Sequence, residues 1–434
     1  MSTQTDAPHV LIIGAGITGL VLAQALKSHG VGFTIYERDS DPSYRGRGWG
    51  LTIHWALDTL LSLLPQDIID RLPDTYVDSV AAAAGEKGTF PFFDLRTGER
   101  RWQLTSPNRI RVGRERLRRL LMEGIDVKNP TNTFKQWSHT LTSISHPTHQ
   151  TLIAHFHNTT SPSLPLSATG TSLIGADGSH SAVRSHLLPS SISTNTKLPI
   201  RFLGISAPFP SALALSLQAL DPFFFQGGDP LTDVFLYFSF FSTPKEDERE
   251  RGEGQWEGQL SLSYPYRAGF WGKDQPMEVP ASDAERVALM KEFAAGWQEP
   301  FRGLVMSLAE DTPVKELLVE DYLPEPGIGE SGKGKVVLVG DAAHAMTIYR
   351  GEAANHGIMD VSVLLSHILP VLKQPRQTPR MREAVLAYEE DMIARTRPAV
   401  LASRRAAMDA HEYRKIDADS PLVSKRVVIR EEMD

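Results

Sequence analysis

Apolar positions in this chain fall into a few short unbroken runs closed by glycine or a carboxylate, and into longer stretches with a period of two or about 3.6. Val10 to Ile13 predicts a buried strand, Leu20 to Lys27 a helix, and Phe33 to Tyr36 a second strand. A helix is expected from His54 to about Leu64, stopped by Pro65. Residues 89–112 alternate and turn like short antiparallel strands, and Leu117, Leu120 and Leu121 then have helical spacing. Residues 137–176 predict a β-meander, interrupted by a Ser/Thr/Pro-rich loop from His157 to Gly170. Residues 199–267 are aromatic and β-rich. In the run Asp233 to Ser242, period two puts Phe235, Tyr237, Ser239 and Phe241 on one face and Leu236, Phe238 and Phe240 on the other. Both faces can be sheet core, or one can roof an apolar substrate pocket. The charged run Lys245 to Glu253 predicts an exposed hairpin loop, and residues 281–297 a helix with S-D-A-E as its cap and acidic first turn. Lys335 to Val339 is a further buried strand, and helices dominate from Glu352 onward. Strands for the N-terminal unit therefore come from both ends of the chain, which implies interleaved domains.

Composition narrows the function classes. The 434 residues are 41% hydrophobic and 22% charged, ample for a core, and the net charge of −7 argues against nucleic acid or an anionic membrane as partner. With no cysteine, disulfides, thiolate zinc, iron–sulfur clusters and a cysteine nucleophile are excluded. No targeting segment or membrane span is expected, and a cytoplasmic location is the default. The cationic cluster Arg111 to Arg119 is read as the solvated face of an amphipathic helix.

The chemistry begins at residues 10–19, where Gly14, Gly16 and Gly19 stand in G-x-G-x-x-G spacing between strand and helix. Gly14 allows the tight turn, Gly16 the approach of a pyrophosphate, and Gly19 close helix–strand packing. The helix N-terminus supplies free N–H groups for the pyrophosphate. Glu37, 18 residues past Gly19, is placed to accept hydrogen bonds from a ribose. An adenine dinucleotide is expected here. Two further segments repeat the pattern of a strand ending at a carboxylate: L-I-G-A-D-G-S-H-S-A-V-R, with Asp177, and V-V-L-V-G-D-A-A-H-A-M, with Asp341. Such carboxylates beside a dinucleotide crevice can bond ribityl or ribose hydroxyls.

In this order the three segments resemble the group A FAD-dependent monooxygenases, the aromatic hydroxylases of the p-hydroxybenzoate and salicylate hydroxylase type, in the version found in fungal and microbial secondary metabolism. The resemblance runs from Val10 to about Ser403. It implies an α/β fold: a Rossmann-like FAD-binding domain interleaved with an antiparallel β-sheet substrate domain, and a helical C-terminus. The expected segments are 8–85, 113–195 and 301–370 for FAD, 86–112 and 196–300 for substrate, and 371–434 for the C-terminal helices. It implies that Gly14, Gly16, Gly19 and Glu37 hold the ADP half of FAD, with Arg38 beside them. Arg114 would contact FAD, Asp177 would serve FAD and the transient nicotinamide, and Asp341 would bond the ribityl chain. Gly351, Ala353, Ala354 and Asn355 would form the loop facing the flavin's pyrimidine edge. Arg47 either approaches the pyrophosphate or is solvated. Arg350 either neutralises charge on reduced flavin or substrate, or forms a surface salt bridge, and Tyr237 is a second pocket candidate. His344 and His356 are read as packed or capping residues without a catalytic role. The family usually has proline where Ala345 and Ile348 stand and glycine where Ala353 stands. The missing proline loosens the loop, and the extra methyl crowds the flavin if residue 353 needs a glycine-only conformation.

With one dinucleotide fingerprint and not two, NAD(P)H must bind transiently as reductant. The implied reaction inserts one oxygen atom from O2 into an aromatic or other electron-rich small molecule through a flavin C4a-hydroperoxide. The alternative is an FAD protein of the same fold catalysing isomerisation or cyclisation. Substrate identity and oligomeric state are left open.

Overall fold

The computed structural model describes residues 8–42, 44, 48–104, 108–125, 134–149, 151–158, 166–374 and 378–426. Strands β1 (His9–Ile13) and β2 (Gly32–Tyr36) flank the helix Ile17–Ser28. That helix is apolar nearly all round and buried accordingly, and its one buried amide, Gln24, donates to the carbonyls of Leu121 and Glu123. Then follow β3 (Gly50–Ile53), β4 (Phe92–Asp94), β5 (Arg100–Trp102), β6 (Ile110–Gly113), the helix Arg114–Met122, β7 (Phe134–Gln136), β8 (His139–Ser145), β9 (Leu152–Asn158), β10 (Leu166–Gly170) and β11 (Ser172–Gly175). The second half holds β12 (Thr196–Phe209), β13 (Phe224–Gly228), β14 (Phe235–Ser242), β15 (Trp256–Pro265), β16 (Lys315–Asp321) and β17 (Val336–Leu338), then the helices Ala353–Leu372 and Thr378–Asp409.

Four sheets result. A five-stranded parallel sheet has the order β17-β11-β1-β2-β7, so its members come from both halves of the chain. β17 and the Val10–Ile13 run of β1 are unbroken apolar runs because both of their faces are covered, and the strands β8 and β9 pack into the same core as this sheet. β1 has a chain neighbour on one side and a distant strand on the other, so the crevice of the sheet opens at its C-terminal end. A seven-stranded sheet has the order β16-β12-β15-β14-β13-β4-β5. β8, β9 and β10 form a small antiparallel sheet, and β3 pairs with β6 across the junction.

Several expectations need correction. β16 lies in segment 301–370, which was given to the dinucleotide unit, yet it pairs with β12 in the large antiparallel sheet. The stretch 245–253 is the exposed connection of the β14–β15 hairpin, as expected, but it contains a helical turn, Glu246–Glu250, and its Arg249 reaches back to the buried Asp78. In the interrupting loop from His157 to Gly170, residues 166–170 are strand β10; positions 159–165 lie outside the described residues. The helix predicted at 281–297 occupies Asp283–Ala294, with a reciprocal Ser282–Glu285 capping box.

Helix Ala353–Leu372 is long and apolar enough to cross a membrane. It packs instead as a core helix, because its buried face carries Asn355, His356 and Asp360, with Asp360 ion-paired to Arg395 of the last helix.

Candidate active site

A cleft with about 510 Å³ of free space runs from the C-terminal ends of β1, β2 and β11 to the inner face of the seven-stranded sheet. Gly14, Gly16, Glu37 and Arg38 line one end, Arg114, Asp177 and Asp341 the middle, and Phe224, Phe235 and Tyr237 the other. Residues far apart in sequence meet here because the parallel sheet aligns the turns after its strands.

The first turn is set by sterics. Gly14 has φ +106, and a Cβ there would lie 2.3 Å from the Ala176 carbonyl oxygen. A Cβ on Gly19 would lie 2.2 Å from the Gly14 carbonyl oxygen, so this glycine serves packing and does not line the cleft. At Gly16 a Cβ would meet nothing within 4 Å, because the open cleft lies there. Glu37 accepts hydrogen bonds from the N–H groups of Ala15 (2.7 Å) and Asp39 (3.0 Å), which ties the end of β2 to the glycine turn.

The second turn is held by Asp177, whose carboxylate accepts from the Ser181 hydroxyl (2.6 Å) and the Ala182 N–H (2.7 Å). Burial pushes its carboxyl up, opposed by these bonds. Arg184 staples this turn to the third, donating to the carbonyls of Ser179 (2.6 Å) and Ala342 (2.9 Å).

The third turn presents Asp341. It is exposed to the cleft, carries no hydrogen bond to its carboxylate among the described residues, and faces His344 and Arg114. Burial within the protein mass pushes its carboxyl up, while His344 and Arg114 oppose the shift. Behind it Asp360, fully buried, accepts from the Gly340 N–H (2.7 Å), His344 Nε2 (2.6 Å) and Arg395 (2.6 Å). Burial alone would raise Asp360, but His344 and Arg395 outweigh it and hold its carboxyl well below the usual range. His344 is thus a packed residue holding the turn, as its sequence context suggested. His356 is also buried, against the edge of Trp55.

Gly351, Ala353 and Ala354 line the cleft, but Asn355 does not. Its amide is spent on the backbone of residues 52–54, accepting from His54 N–H (2.9 Å) and donating to Thr52 O (3.1 Å). Ala353 is the first residue of its helix with an ordinary negative φ, so no glycine-only conformation is demanded there. Arg350 lines the cleft but forms no surface bridge: it is buried, with Nε on Glu352 (2.5 Å) and Nη1 on the Pro421 carbonyl. Arg47 lies outside the described residues.

At the far end Trp49, Phe202, Phe224, Phe235 and Tyr349 make an aromatic wall. Tyr237 faces the cleft while Leu236, Phe238 and Phe240 pack in the core behind, so β14 serves both roles weighed for it. Sequence reasoning missed two cations. Arg111 and Arg118 are buried and line the cleft, contrary to the solvated face expected for this cluster. Arg111 donates to the hydroxyls of Thr52 (2.8 Å) and Tyr237 (2.9 Å). The signal for Arg118 was its position four residues after Arg114, on the same helix face.

The residues present fit FAD. A glycine cradle opens at a helix N-terminus, an acid follows the second strand, and the Asp341 carboxylate, with no hydrogen-bond donor among the described residues, lines the cleft. Comparison with known proteins agrees. The family model described as FAD binding domain matches residues 7–218 and 330–397. A "Probable FAD-dependent monooxygenase" of Arthroderma benhamiae is 49% identical over 98% of this chain and 97% of its own length. The FAD-dependent monooxygenase tazP of Aspergillus terreus is 36% identical over 85% of this chain and 90% of its own. The solved salicylate hydroxylase substrate complex superposes with a TM-score of 0.68 at 18% identity, covering 96% of this chain and 92% of that one, and so shares the fold. The chain belongs to the FAD-binding-domain family of group A flavin monooxygenases and is an FAD-dependent oxidoreductase.

Proposed function

We propose that this enzyme uses NAD(P)H as a transient reductant and inserts one oxygen atom of O2 into an aromatic or other electron-rich small molecule, in the cytoplasm, as a step of secondary metabolism. The observation that carries this reading is one continuous cleft joining the glycine cradle and Asp341 to an aromatic chamber with a guanidinium–phenol pair, Arg111 and Tyr237. The chemistry FAD supplies when bound is activation of O2 and delivery of an oxygen atom. Gly14, Gly16, Glu37 and Arg38 would hold its ADP half, Arg114 and Asp177 the middle, and Asp341 the ribityl hydroxyls. Gly351, Ala353 and Ala354 would approach the flavin ring through their backbone. Arg111 and Tyr237 would orient the substrate through its polar substituent, while Phe224, Phe235 and Tyr349 exclude water that would divert oxygen to peroxide. The segments 8–85 and 113–195 serve the cofactor and 86–112 and 196–321 the substrate, the latter supported by β4, β5 and β12 to β16, which form the seven-stranded sheet.

The test is a screen of purified holoenzyme for phenolic and polyketide-like compounds that accelerate NADPH and NADH oxidation, with mass spectrometry under isotopically labelled O2. A product carrying one labelled oxygen is expected. Product formation without label would overturn the oxygenase reading for that substrate.

A further inference from the structure

Arg118 is a buried cation that lines the cleft near the glycine turn. It projects from the helix Arg114–Met122, outside the β1–helix–β2 unit, and only 5% of its side chain is exposed. Its Nε donates to the Ala15 carbonyl (2.8 Å) and its Nη1 to the Pro42 carbonyl (3.1 Å). Ala15 sits between Gly14 and Gly16, and Pro42 lies on the segment leaving β2. The remaining nitrogen stands 3.8 Å from the Glu37 carboxylate and 4.0 Å from that of Asp39, both buried. The guanidinium plane faces the Trp137 ring at 5.5 Å, which limits its movement.

One side chain therefore bonds both chain segments that Glu37 joins. Glu37 itself accepts from the N–H of Ala15, and Arg118 donates to the carbonyl of the same residue. The pair grips the glycine turn from both of its polar sides. A guanidinium beside two buried carboxylates offsets part of their charge, and a fixed fork holds geometry better than a flexible ammonium.

We propose that Arg118 is a positioning residue for the ADP half of FAD: it fixes Glu37 and the Gly14–Gly16 turn in the conformation that receives the adenosine ribose and pyrophosphate. This rests on the reading of Glu37 as ribose acceptor. It assigns to the first segment after the substrate strands a part in building the dinucleotide end of the site.

FAD and FMN separate this role from a merely structural one, because FMN carries the flavin and ribityl phosphate but no adenosine. Apoprotein prepared from the holoenzyme would be titrated with each flavin, following flavin fluorescence, for wild type, Arg118→Met, Arg118→Lys, Glu37→Ala and the double variant Arg118→Met/Glu37→Ala. Arg118→Met is expected to weaken FAD by about tenfold or more while FMN changes by less than about twofold. Arg118→Lys should show the same selectivity with a smaller loss, since it keeps the charge without the fork. The double variant should bind FAD no more than about twofold more weakly than Glu37→Ala alone, because both residues act through one arrangement. Unchanged FAD affinity, an equal loss for FAD and FMN, or additive effects would overturn the proposal. If Arg118→Met does not fold, a wild-type FAD-to-FMN ratio in Arg118→Lys overturns it equally. Should Glu37→Ala leave that ratio unchanged, the ribose assignment falls and takes the proposal with it. If Glu37→Ala shifts the ratio and Arg118→Met does not, the proposal alone is lost.

Discussion

Two carboxylates in the cleft carry different kinds of work, and their hydrogen bonds show which. Glu37 has already bonded the backbone N–H groups of Ala15 and Asp39, so it is a structural element of the turn as well as an acceptor. Its loss disturbs both functions. Glu37→Ala should weaken FAD by about 1–3 kcal/mol, the cost of leaving buried polar groups without a charged acceptor, as read by flavin titration of apoprotein. Asp341 differs because no donor among the described residues depends on it, and the turn beneath it is secured by Asp360 through the Gly340 N–H. Asp341→Ala should therefore give mostly apoprotein whose urea stability lies within about 0.5 kcal/mol of wild-type apoprotein. Normal FAD content in that variant would remove Asp341 from the cofactor site.

At the scale of elements, the segment from Thr347 to Ala354 decides how tightly the cleft is closed. It is a single 3-10 turn, Ile348–Arg350, ended by Gly351 at φ +64 and followed by the helix Ala353–Leu372. The buried Arg350–Glu352 pair and the carbonyl of Pro421 anchor its far end. Its near end is looser: Ile348 lines the cleft and is 54% exposed. Thr347 has φ −66 and ψ 159, the extended conformation that a residue before proline prefers. Ile348→Pro is thus compatible with the backbone and would stiffen the cleft mouth. It should lower the share of NADPH oxidation that ends as hydrogen peroxide and raise product formed per NADPH, measured with an oxygen electrode with and without catalase. A barrier difference of about 1.4 kcal/mol changes that partition tenfold, so a small gain in order is visible. Ala353→Gly alone should change little, because Ala353 is unstrained in its helix. If Ile348→Pro abolishes product while NADPH oxidation persists, Ile348 shapes the pocket and does not merely leave it loose.

Over the whole molecule, the parts legible in the sequence are those where local pattern and global position coincide. The runs at Val10, Phe33, Ser172 and Val336 are mostly apolar because each is buried on both faces, and each ends at a residue that lines the crevice or packs its turn. The β3–β6 pairing, the spent amide of Asn355, and the burial of Arg111 and Arg118 were not legible. A cation on an amphipathic helix, such as Arg118, reads as solvated unless the tertiary surface facing it is known, and that surface here includes the distant Ala15 and Pro42; Arg111 lies on β6 and meets the equally distant Thr52 and Tyr237. The same long-range packing buries His411 and His54, which nothing in the local sequence marks, along with His356. His411 is enclosed by the last helix and β15, bonded to the Ala407 carbonyl and Ser263, and burial holds it down to about 4. His54 is held to about 3, by burial first and then by Arg426, Arg109 and Arg350, and burial depresses His356 as well. Each is neutral in the folded protein and protonates near pH 6.5 once unfolded, so the unfolded state binds more protons as pH falls below that value. Stability should then be full above about pH 6.5 and decline toward pH 4, by about 2 kcal/mol each for His411 and His54 at pH 5. Urea unfolding of the holoenzyme at fixed excess FAD, compared at pH 7 and pH 5, measures the decline. His411→Asn should be less stable than wild type at pH 7 yet lose about 2 kcal/mol less on acidification to pH 5. An identical pH slope in wild type and variant would show that His411 is not held neutral in the fold.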